Sequence, residues 1–114
     1  MSTQNMHSEI KFNVHLDETR LPLKIEWSAT ESGFADNKAC KAMLVSIFDE
    51  KEKNTLKIDL WTNEMLVDEM KQFFAETLSA LGDTYLNATG ETEAAESIRQ
   101  FARDFAKKAG ILEK

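Results

Sequence analysis

The side chains able to do chemistry are few and scattered. Cys40 is the only cysteine among 114 residues. A thiol becomes a useful nucleophile when a histidine or basic cluster lowers its pKa. No nearby histidine or basic cluster would do this for Cys40, so it reads as a small buried hydrophobe. His7 and His15 stand eight residues apart. A zinc site would need them beside further ligands, and His15 reads as a surface residue of a strand. Asp49, Glu50 and Glu52 offer carboxylates to Ca²⁺. They lack the spaced Asp/Asn and glycine pattern of a calcium loop, and Lys51 and Lys53 are interleaved. A solvated hairpin turn accounts for them. Glu64, Asp68 and Glu69 do not form a Glu-x-x-His metal motif. No Gly-rich phosphate loop and no G-x-S-x-G is present, and the chain has only four glycines. The expectation is therefore no catalytic, metal or cofactor site, and no enzyme.

The charge balance points the same way. Fourteen basic and 20 acidic side chains give a net charge of −6. Phosphate backbones and anionic membranes would be repelled, so no nucleic acid is expected as partner and any place at a membrane is peripheral at most. No apolar run approaches the ~18 residues of a membrane span. The opening MSTQNMHSEIKF has no apolar signal core. A cytoplasmic protein forming a single domain over residues 1–114 is expected, with 1–8 polar and frayed.

Hydrophobic periodicity supplies the elements. Ile10, Phe12, Val14 and Leu16 alternate with Glu9, Lys11, Asn13 and His15, the signature of a half-buried strand. Asp17 to Arg20 reads as a turn. Leu23, Ile25 and Trp27 form a second alternating strand after Pro22. Ala29 to Lys38, ATESGFADNK, reads as a loop, with Phe34 as its anchor. The third strand, about Lys41 to Phe48, is apolar on both faces. Asp49 to Asn54 forms a charged turn. The fourth strand sends Leu56, Ile58 and Leu60 inward, and Lys57, Asp59 and Trp61 outward. A long helix capped by Thr62 or Asn63 follows, with an apolar stripe from Leu66 through Met70, Phe74 and Leu81 to Tyr85. Gly82 inside it marks a kink or a contact where only hydrogen fits. Thr92 caps a second helix, in which Glu96 can pair with Arg99 or Gln100. Gly90 and Gly110 end the two helices.

The fold expected is α+β: an antiparallel sheet of about four strands, followed by two C-terminal helices packed on one face. Two helices cover one face of a small sheet. That leaves Leu44, Phe48 and Trp61 together on the outer face as a candidate interaction surface. A homodimer or larger homo-oligomer built on that face or on the sheet edge is expected.

Three stretches carry a family resemblance: KIEW (Lys24 to Trp27), KAMLVSIFDEKEKNTLKIDLWT (Lys41 to Thr62) and MLVDEMKQFF (Met65 to Phe74). With the N-terminal EIKFNVHLDE, they resemble the gliding motility-associated GldC family, small proteins of gliding Bacteroidota. The resemblance is weakest after Thr84. It implies a noncatalytic accessory protein of gliding motility with a protein partner in the gliding machinery. It brings no catalytic residues and no cofactor. The alternative is a chaperone-like binder of unfolded or exported chains through an apolar surface. The element order also occurs in the SecB-type export chaperone, an analogy that transfers no function.

Overall fold

A computed structural model of the chain describes residues 7–30 and 34–111, with backbone alone at 34–36. The expected fraying of 1–8 falls mainly on residues outside those described, as does the anchoring side chain of Phe34. Among the described residues the order is β1 (Ile10–Leu16), β2 (Pro22–Ala29), β3 (Phe34–Cys40), β4 (Ala42–Phe48), β5 (Thr55–Trp61), α1 (Val67–Thr89) and α2 (Thr92–Ala109). The chain divides into two compact units, Met1–Met65 with the strands and Leu66–Lys114 with the helices. The class is α+β, with antiparallel strands followed by two C-terminal helices, as the sequence leads one to expect.

The strand unit holds two sheets, ordered β1-β2-β3 and β4-β5. Five strands in two sheets replace the four expected in one. The added strand is β3, which takes up the second half of the stretch read as a loop, from Phe34 to Lys38. Its polar composition, FADNKAC, is poor strand material, but pairing with β2 overrides that preference. As an edge strand it can carry charge, which discourages stray pairing. Alternation in β1 and β2 has the register it implies: Phe12 stands opposite Trp27, and Val14 opposite Ile25. Ile25 also faces Cys40 across β2 and β3, and it is fully buried.

The turn between β1 and β2 is organised by one carboxylate. Asp17 Oδ1 accepts from the N–H of Thr19 at 2.8 Å, the N–H of Leu21 at 3.0 Å and the Thr19 hydroxyl at 2.7 Å. This holds Arg20 in the left-handed region at φ 69°. Only Lys41 separates β3 from β4. Its carbonyl accepts from the Thr62 N–H at 2.8 Å, one step beyond the Ala42–Trp61 pair. Thr62 is consequently buried. It does not cap α1, which starts at Val67, five residues on. The N–H of Leu66 donates instead to Glu69 Oε1 at 2.9 Å, the side-chain half of a capping box.

The helical unit closes on small residues. Gly82 of α1 is buried, as are Ala95, Ala102 and Ala106 of α2. A Cβ added at Gly82 would stand 2.8 Å from Arg99 Cγ and 3.4 Å from the Ala95 carbonyl oxygen. Gly82 therefore marks a close contact between helices, the second of the two sequence readings. Arg99 is drawn across to Asp83 Oδ1 at 2.5 Å. Glu96 pairs with Arg103 at 2.6 Å, not with Arg99 or Gln100. Gly90 and Gly110 stop the helices at φ 75° and 88°, as expected. Glu91 precedes α2, and Thr92 is its first residue, not its cap.

A methyl group at Gly82 gains about 1 kcal/mol of helix propensity but overpacks a full seam at a cost of about 1–3 kcal/mol. Gly82→Ala is expected to destabilise the chain by about 1 kcal/mol. With Arg99→Ala the obstructing Cγ is gone, and the same change should stabilise by about 0.5–1 kcal/mol. Urea unfolding of the four proteins checks that reversal of sign. Stabilisation in both backgrounds would mean that Arg99 yields freely.

Candidate functional site

The surface singled out by sequence is built on two strands, AMLVSIF and TLKIDLW, joined through Asp49–Asn54. Asp49 shapes that turn. Its Oδ2 accepts from the N–H groups of Lys51 at 3.1 Å and Glu52 at 2.7 Å. This carboxylate serves the backbone rather than a cation. The register sets Ala42 opposite Trp61, Leu44 opposite Asp59, Ser46 opposite Lys57 and Phe48 opposite Thr55. Directly opposed residues share a face. Leu44, Phe48 and Trp61 therefore do lie on one face. They are not one continuous cluster. Leu44 is the diagonal neighbour of Trp61, whereas Phe48 stands at the turn end, beyond the Ser46–Lys57 pair. Lys57 forms an ion pair with Asp59 on the same face.

All three are open to solvent: Phe48 by 66%, Trp61 by 55% and Leu44 by 38%. The other face is wholly apolar, with Met43 opposite Leu60, Val45 opposite Ile58 and Ile47 opposite Leu56. Only Met43 is buried. Leu56, Ile47 and Ile58 remain about half exposed, although alternation places them inward. Alternation tells which face a side chain takes, not whether anything covers that face. These three residues are the part of the surface that the sequence reading missed.

Beside Trp61 lies a groove of about 360 Å³, lined by Leu21, Pro22, Leu60 and Trp61, with Asp17 and Asp59 among its polar residues. The Leu21 N–H and then the Thr19 hydroxyl hold Asp17 below the usual carboxylate range, so it is a turn constraint and not a free base. Elsewhere in the strand unit, Glu26 is held low by Lys24 first and then by His15. His15 Nε2 stands 3.3 Å from Glu26 Oε1, which makes it a surface strand residue as expected. Burial pushes the Cys40 thiol up, away from nucleophilic duty. Cys40 is the last residue of β3. Among the described residues, no group of three or more His, Cys, Asp or Glu is placed to hold a metal ion. Nor is any described helix long and apolar enough to cross a membrane.

The helical unit carries a further apolar layer. Phe74 and Leu81, seven apart, share a face of α1; Phe101 and Phe105, four apart, share a face of α2. The Phe74 and Phe105 rings lie 6.3 Å apart. Phe101, Leu81 and Phe74 are all exposed. The helical stripe is thus a surface as much as a core.

The family model for gliding motility-associated GldC-like proteins matches residues 22–111. That span runs past Thr84 and contains Leu44, Phe48 and Trp61, and it leaves β1 outside. No curated protein and no solved structure matches the chain.

The raised thiol pKa has a direct consequence. Cys40 is expected to react with iodoacetamide more slowly than free cysteine at pH 7.5. Its rate should climb as the pH rises through and beyond the ordinary thiol range. A rate equal to or above that of free cysteine at pH 7.5 would restore Cys40 as a nucleophile.

Proposed function

The chain belongs to the GldC-like family of gliding motility-associated proteins, and we propose that it is a noncatalytic, cytoplasmic accessory of the gliding machinery. It acts by binding protein through the face that carries Leu44, Phe48 and Trp61. The carrying observation is the two-sided hairpin. Both faces of β4-β5 are apolar, and large side chains on both are exposed. The helices add one more broad apolar face. Leu44, Phe48 and Trp61 of the outer face stay exposed in the single chain. An exposed apolar face of this kind is open to another protein. Aromatic and aliphatic residues beside a fixed Lys57–Asp59 pair have the composition of a protein interface.

We take one such partner to be a second copy of the chain, since one patch can satisfy two copies across a two-fold axis. The other is a component of the gliding machinery. The alternative reading is a chaperone-like binder of unfolded or exported chains. Charges fixed in the middle of the outer face favour a partner of one shape and pattern over many unfolded clients.

A photo-crosslinking amino acid in place of Phe48 tests the assignment in a gliding cell. The expected result is one stoichiometric folded partner from the motility apparatus, captured along with the second copy. Glutamate at Leu44 and Trp61 should abolish that capture while the chain stays folded by circular dichroism. A spread of many unfolded clients would support the chaperone reading and end the adaptor reading.

A further inference from the structure

The free edge of β5 carries more information than either face. Among the described residues β5 has a single strand partner, β4, so its opposite edge presents unpaired N–H and C=O groups. Every residue of β5 except Leu60 is exposed. No proline, bulge or positive φ interrupts it. An uninterrupted, exposed edge of this kind is a template for another strand. Its charges decide which strand.

We infer that β5 pairs antiparallel with β5 of a second copy, in a register centred on Ile58. This inference rests on the reading above that a second copy is one of the partners. A two-fold axis normal to the sheet sets Ile58 opposite the partner's Ile58. Leu56 then stands opposite the partner's Leu60, and Lys57 opposite the partner's Asp59. Thr55 meets the partner's Trp61. All seven residues are used, apolar side chains meet apolar ones on the inner face, and both lysines meet aspartates on the outer face. The neighbouring registers fail. Centring on Lys57 sets the two lysines against each other, and centring on Asp59 does the same with the aspartates. Like charges directly opposed destabilise a pair. Charged residues usually blunt an edge; here their order, Lys-Ile-Asp, favours the Ile58 register over the two next to it, and it is the register that uses the whole strand.

The free edge of β4 has no such selectivity. Centred on Val45, it would set Met43 against Ile47 and Leu44 against Ser46, with no charge to oppose a slip. The β5 pairing yields a continuous sheet in the order β4-β5-β5-β4. It joins the two outer faces side by side, so that a central Lys57–Asp59 quartet is flanked by Leu44 and Trp61 of each copy. The gliding partner would then meet a doubled surface.

The test is equilibrium sedimentation of Lys57→Glu, Asp59→Lys and an equimolar mixture of the two. The wild type should be dimeric at tens of micromolar. Symmetry counts each reversal twice, so each variant alone should dimerise at least about tenfold more weakly. The mixture should recover wild-type association, because every reversed position then meets an opposite charge on the partner. The pair within each chain stays mismatched in the mixture, so recovery can only come from contacts between copies. A dimeric wild type whose two variants associate equally well overturns the β5 pairing and leaves the second-copy reading standing. A monomeric wild type overturns both. A second measurement needs no variant: zero-length carbodiimide coupling of mixed light and heavy nitrogen-labelled wild type. A mixed-isotope link between Lys57 and Asp59 is expected, and a dimer without it contradicts the pairing.

Discussion

A two-stranded sheet cannot bury its own faces. The β4-β5 ladder has seven cross-strand pairs, enough to fix register and side-chain direction, yet an isolated hairpin is marginal in water at best. Three or more strands, or a packed layer, must cover at least one face. This hairpin carries large apolar residues on both faces, and Met43 is its one buried side chain among them. Fully covering a Leu, Ile, Phe or Trp is worth about 1.5–3 kcal/mol apiece. A net stability of only about 5–15 kcal/mol makes several half-exposed side chains of this kind a large fraction of the total. Coverage of the hairpin is therefore a condition of the fold, as well as an opportunity for binding.

The helical unit shows how the same chain handles packing when its side chains are small. Gly82, Ala95, Ala102 and Ala106 let the two backbones approach, and Arg99 bridges to Asp83 beside the seam. This close approach uses little apolar area. Of the large residues, Leu81 and Phe101 stay exposed, and Phe74 is exposed in part although its ring meets Phe105 of α2. Each unit thus secures its internal geometry with few buried residues and keeps its large apolar side chains on the surface.

Much of this was legible in the sequence. Strict alternation in β1 and β2 and the doubly apolar β4 gave both element and face, because a period of two follows directly from the pleat. The placement of Leu44, Phe48 and Trp61 on one face followed from counting alone. β3 was not legible, because Asp36, Asn37 and Lys38 have no strand preference of their own; β2 recruits them as an edge. The cap of α1 was misplaced for a related reason. Thr62 looks like a cap, but its N–H extends the ladder to the Lys41 carbonyl, its hydroxyl lies 3.4 Å from the Glu64 N–H, and the cap position of α1 is Leu66, four residues on. Exposure was the least legible property. Ile47, Leu56 and Ile58 have the pattern of core residues, and a pattern records orientation without recording a cover. The site itself has no catalytic signature to read, and its process comes from the family to which residues 22–111 belong.

The proposed pairing of β5 with a second copy would leave its mark first on the backbone amides of that strand. Amide hydrogen exchange across Thr55–Trp61 tests this most directly when followed as a function of protein concentration in the full chain. Backbone groups at a free edge exchange through local opening, whereas strand pairing between copies suppresses that opening by mass action. The account predicts strong protection of the outward-facing β5 amides at tens of micromolar. That protection should fall on dilution, while the helical seam around Gly82 and Ala102 changes much less. Protection of β5 that stays the same on dilution, in a chain that sediments as a monomer throughout, would contradict it.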